Sequence, residues 1–190
     1  MAIKTFTTGE VLTASDTNTY LANSGLVYVA GGPLSLTATN FAGCFTSEYR
    51  DYRVVVDSLA WNATGDLYYQ FLTGTTPYTN ADYFWAMRGY KVTGVAFDNG
   101  ASIQTYGFLG TGNVLANNLV CGSCSWDICG PQLSQRTILT GQGAGVSTDY
   151  FGLSGMNAHN VVAAYTGIRF LTNSATTFTG NVSIYGYRKA

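Results

Sequence analysis

The chain has 190 residues, a net charge of −1 and only 10% charged side chains, against roughly 25% in an ordinary soluble domain. That balance excludes the basic footprint of a nucleic-acid binder or of a protein held to an anionic membrane. The surface must instead be neutral and polar or face other proteins, and the length allows one domain with a real core plus a short arm.

The first 25 residues read differently from everything after them. In KTFTTGEVLTASDTNTYL, Thr13 followed three positions later by Asp16 is a capping-box-like start. It predicts a helix over residues 14–23, closed at Gly25. About three turns are too few to stand alone in water. The apolar side chains of this arm, Val11, Leu12, Tyr20 and Leu21, must therefore land on some surface.

From Leu26 onward the chain reads as strands. LVYVAGG, LSLTATN, YRVVVDSLAW, LYYQFLTG, YFWAMRGYKV, IQTYGFLG, NLVCGSCSWDI, RTILTG, YFGLSG, VVAAYTGIRFL and FTGNVSIYGYR are β-branched or aromatic and bounded by Gly, Asn, Asp, Pro or Thr. YRVVVDSLAW and NVSIYGY alternate apolar with polar or small residues, as half-buried strands do. With no helical period between them to supply crossovers, the expected fold is all-β: an antiparallel, jelly-roll-like β-sandwich over residues 26–190, preceded by an arm over residues 1–25 with one helix. No stretch reaches the roughly 20 apolar residues of a membrane helix. The N-terminal residues lack the apolar core of a signal peptide. Membrane insertion is not expected, and the thiols are expected to be reduced in a cytoplasm.

Few side chains offer chemistry. Cys121, Cys124 and Cys129, with Cys44 distant, raise a zinc site but lack two close ligand pairs, and the spacing suits small buried strand residues better. His159, the one histidine, sits in GMNAHNVV with no nucleophile motif and reads as a structural residue in a loop before a strand. Asp51, Asp57 and Glu48 lie beside Arg50 and Arg53 and read as solvated strand ends rather than a glycosidase pair. GQGAG lacks the Lys and the strand–loop–helix setting of a phosphate loop. No catalytic residue, metal or cofactor is expected. The aromatic side chains, with 14 tyrosines and with Trp61, Trp85 and Trp126, are assigned mainly to the core. Adjacent pairs such as Tyr68 and Tyr69 must also place rings outward, for subunit contacts or for stacking on sugars.

FTTGEVLTASDTNTYLANSGLVYV resembles the N-terminal motif F-x-x-G-x-x-L-T-A-x-x-x-N-x-x-L of tailed-bacteriophage virion proteins, matched in order by Phe6, Gly9, Leu12, Thr13, Ala14, Asn18 and Leu21. CFTSEYRDYRVVVDSL and GIRFLTNSATTFTGNVSIYGYRKA are similar to the β-sandwich modules of phage fibre and decoration proteins. The resemblance implies a virion location after assembly in a host cytoplasm, and other virion proteins of capsid or tail as partners. It implies no catalytic residues. With no shaft sequence, a compact knob or decoration gains over a long fibre. Copies of the chain, as a homotrimer, are expected to associate, with Phe6, Val11, Leu12, Tyr20 and Leu21 as docking residues. The second expectation is a lectin-like module that reads a host-surface glycan.

Overall fold

A computed structural model of the chain describes residues 7–11, 13, 25–35, 37–62, 65–112, 122–146, 150–172 and 176–188. Among these the structure is all-β, with thirteen strands and no helix. The strands are β1 (Leu26–Leu34), β2 (Ala38–Phe41), β3 (Tyr49–Trp61), β4 (Gly65–Thr73), β5 (Thr76–Pro77), β6 (Tyr83–Lys91), β7 (Ala96–Gln104), β8 (Gly107–Gly112), β9 (Gly122–Cys129), β10 (Gln135–Val146), β11 (Tyr150–Ala163), β12 (Gly167–Leu171) and β13 (Phe178–Arg188). The helix expected over residues 14–23 lies outside the described residues. In the described part of the arm, Thr7 and Glu10 close a tight turn through Glu10 N–H to Thr7 O at 3.0 Å, with Gly9 at φ 88° supplying the left-handed step.

Two sheets form, and every pairing is antiparallel. The large sheet runs β1-β13-β3-β9-β10-β11-β6-β7. The small sheet runs β2-β12-β4, with β5 and β8 pairing further along β4. Alternation along the strands gives each sheet an inner face. In β3 the inward residues are Tyr52, Val54 and Val56, then Leu59 and Trp61. This change of parity falls at a bulge where Ser58 has φ 54° and the pairing with β9 skips from Val56 to Leu59. From the small sheet Tyr69, Phe71, Ile168 and Phe170 join the same core, all fully buried. Each such burial contributes about 1.5–3 kcal/mol.

Polar side chains also tie the sheets together. Asn157, fully buried on β11, accepts from Phe108 N–H (2.9 Å) and donates to Phe108 O (2.8 Å), so its amide completes the backbone of β8 as another strand would. Trp126 Nε1 donates to Leu109 O at 3.1 Å.

Several expectations are corrected at the level of elements. RTILTG continues through GQGAG to Val146, because strand-interior Gly141 lets the Trp126 ring lie against the backbone: a Cβ there would stand 2.6 Å from the indole. His159 is in mid-strand rather than in a loop, since YFGLSG and the first half of VVAAYTGIRFL belong to one strand, β11. Residues 96–102 of β7 lie outside the segments expected as strands.

Candidate functional site

The side chains that sequence reasoning examined for catalysis are kept apart by the fold. Asp51 and Asp57 are six residues apart on one strand, about 20 Å, beyond the roughly 5–9.5 Å that glycosidase carboxylates require. Asp51 accepts from Gly130 N–H at 2.9 Å and Asp57 from Asn181 Nδ2 at 3.4 Å. Cys124 points into the core and Cys129 to the outer face of β9, so they do not converge, and Cys44 is buried elsewhere. Burial pushes the Cys44 and Cys124 thiols up to about 12, far from thiolate chemistry. Cys121 lies outside the described residues.

His159 is fully buried among the rings of Phe71, Tyr78, Tyr83 and Tyr165. Its Nδ1 meets Tyr165 OH at 3.2 Å, while Nε2 has no partner. Thr137, its cross-strand neighbour on β10, is equally buried with an unpartnered hydroxyl. Loss of solvent lowers the imidazole pKa to about 4, with only a small opposing effect from Asp82. Burial among aromatic groups keeps the ring neutral.

Of the expected docking residues, Phe6, Leu12, Tyr20 and Leu21 lie outside the described residues. Val11 is described, and it is 78% exposed. An apolar side chain so far out of its own fold is available to a foreign surface.

The feature that sequence reasoning missed is the outer face of the large sheet. Register and alternation place Val55, Ser125, Gln142, Ser154 and Arg88 in one row across β3, β9, β10, β11 and β6. On one side of it run Asp127, Thr140, Met156 and Ala86, followed by Cys129, Ile138, Ala158 and Phe84. On the other run Ser123, Ala144, Gly152 and Tyr90, followed by Val146 and Tyr150. Ser123, Ala144 and Gly152, with the central row Ser125, Gln142 and Ser154, line a trough of about 660 Å³ together with Tyr90, Arg88 and Val55. Opposite them Met156 and Ile138 stand as an apolar ridge, 43% and 44% exposed.

Charge on this face is neutralised locally. Arg53 grips Asp127 through two hydrogen bonds of 2.8 and 2.7 Å, and Tyr187 OH donates to the same carboxylate at 2.5 Å. The Arg53 contact holds the Asp127 carboxyl below its ordinary range, while burial, aided by that hydrogen bond, pushes the Tyr187 phenol up to about 12. Arg88 lies 3.6 Å from Asp98. The signal present in the sequence was the run of uncharged outward residues Gln142, Ala144, Gly152 and Ser154, which acquires meaning only when register aligns them.

Expected outward aromatic rings are partly corrected. Tyr68 and Tyr69 are both buried, because both faces of β4 are covered, and Trp61, Trp85 and Trp126 are all buried. Among the described residues the exposed rings are Tyr28, Tyr90 and Tyr150. No protein-family model matches this chain, and no curated protein matches it.

Proposed function

We propose that this chain is a non-enzymatic structural component of a tailed-phage virion, docked to capsid or tail through an N-terminal arm and displaying its β-module as part of a knob, short fibre or decoration. The observation that carries this reading is the outer face of the large sheet. It is broad, almost free of uncompensated charge and mixed from small, apolar and neutral polar side chains, a composition suited to contact with protein. The motif around Phe6, Leu12 and Leu21 and the exposure of Val11 support docking by the arm.

We read the module as a jelly roll preceded by a short helix. The orders β1-β13-β3-β9 and β2-β12-β4-β8 support this, since they match two four-stranded sheets wound as Greek keys. The pair β10-β11 and the pair β6-β7 then extend the large sheet beyond that frame. Docking works by burial of the arm's apolar side chains, and several copies on one particle raise affinity without new contacts.

Replacing Leu12 and Leu21 with Asp tests the arm. The variant is expected to stay folded and to be lost from particles. Normal incorporation would remove the arm from the account. A second reading, recognition of a host glycan, keeps Tyr28, Tyr90 and Tyr150 as stacking surfaces but loses the tryptophans. Binding on a glycan array that disappears with Tyr90→Ala would favour it.

A further inference from the structure

We propose that the outer face of the large sheet pairs with the same face of a second copy about a two-fold axis lying along the row Ser125–Gln142–Ser154. The proposal uses the same face that carries the virion reading and gives it a second copy as occupant, a dimer in place of the expected homotrimer; it does not depend on the arm, whose docking has its own test in Leu12 and Leu21.

An axis along this row keeps each strand over its counterpart and exchanges the rows on either side. Met156 of one copy then faces Gly152 of the other, a long outward side chain of β11 over the position that has none. Ala86 faces Tyr90, again small against large. Thr140 faces Ala144, Ile138 faces Val146, and Ala158 faces Tyr150. On the axis Gln142 meets its own copy, where two primary amides can donate to and accept from each other. Arg88 also meets its copy at the rim, where the two Asp98 carboxylates lie beside them as counter-charges. The ridge of each copy thus enters the trough of the other.

Gly152 is the sharpest sign. Strand interiors disfavour glycine unless something approaches closely. Within its own chain nothing does, since a Cβ at Gly152 would meet only Gly143 O at 4.0 Å. The space is left for an outside group. Strand spacing of about 4.8 Å and outward rows about 6.7 Å apart give the named positions roughly 600 Å², the low end of the roughly 600–1,000 Å² per partner of a stable association.

Sedimentation equilibrium on the full 190-residue chain tests this. The wild type is expected at twice the 20.3 kDa chain mass. Gly152→Met fills the trough at two symmetry-related places and is expected to raise the dissociation constant about 100-fold or more. Its own fold should be unaffected, as an unchanged far-ultraviolet circular dichroism spectrum would report. Adding Met156→Ala to Gly152→Met restores a large-over-small match and is expected to recover the dimer. A wild type of one chain or three, a Gly152→Met dimer of unchanged affinity, or a double variant no tighter than Gly152→Met would each overturn the two-fold pairing.

Discussion

Acid should weaken this fold through His159 before it reaches Asp127. The imidazole is held at about 4 by burial, against about 6.5 in an unfolded chain. Its folded-state value lies below the unfolded one, so between them the unfolded chain binds the extra proton and stability falls as pH falls. Lowering the pH from about 7.5 to about 5 removes about 2 kcal/mol, and the full loss, reached below about pH 4, is about 3 kcal/mol. For a chain of this size the first figure is a fall of about 4–8 °C in thermal midpoint. Asp127, held down by Arg53, contributes stability of the same sign, lost only as the pH drops through and below the ordinary carboxylate range. The two windows separate. Thermal or urea unfolding across this range, for wild type and for His159→Gln, isolates the imidazole because glutamine can still meet Tyr165 but does not titrate. The wild type should lose about 2 kcal/mol more than the variant. Equal losses would mean that His159 is not buried neutral, and the aromatic enclosure would be wrong.

Other consequences are similarly direct. Asn157→Leu leaves the Phe108 N–H and C=O buried without partners and should cost about 2–4 kcal/mol, read as a lower urea midpoint with unchanged slope. Gly141→Ala brings a Cβ to 2.3 Å from Ser125 O and 2.6 Å from the Trp126 ring, so it should cost about 2 kcal/mol or more. Within its own chain Gly152→Ala meets only Gly143 O at 4.0 Å, so at dilutions where the chain is a single copy it should leave the thermal midpoint unchanged or slightly raised. A double-mutant cycle on Arg53→Met and Asp127→Asn should give a coupling of about 1 kcal/mol or less, reduced by salt, because both side chains are partly solvated.

What the sequence disclosed, and what it hid, follow from the same physics. YRVVVDSLAW is a strand on any reading, because its alternation is a property of consecutive residues. Most of β7 is not among the expected strands because Asp-Asn-Gly favours turns locally, yet here Asn99 lies on β7 with its side chain accepting from Trp85 Nε1 at 3.4 Å. GQGAG misleads for a related reason: glycine in a strand is explained only by the Trp126 ring packed against it, and that ring belongs to β9. The burial of both Tyr68 and Tyr69 depends on cover from Trp85, Tyr106 and Phe108 on one side and from Phe71 and Tyr83 on the other. The outer face of the large sheet was the least legible feature. Met156, Thr140 and Asp127 are scattered along the chain, and only the register of four strands sets them in a row.

The central claim is attachment to a particle, and its most direct test is mass spectrometry of purified phage particles from the source of this chain, with immunogold labelling by antibody to residues 28–190. The account predicts the intact chain in the particles and gold on the head or the tail, which would also assign its position. Particles that are infectious, complete and free of the chain would contradict it.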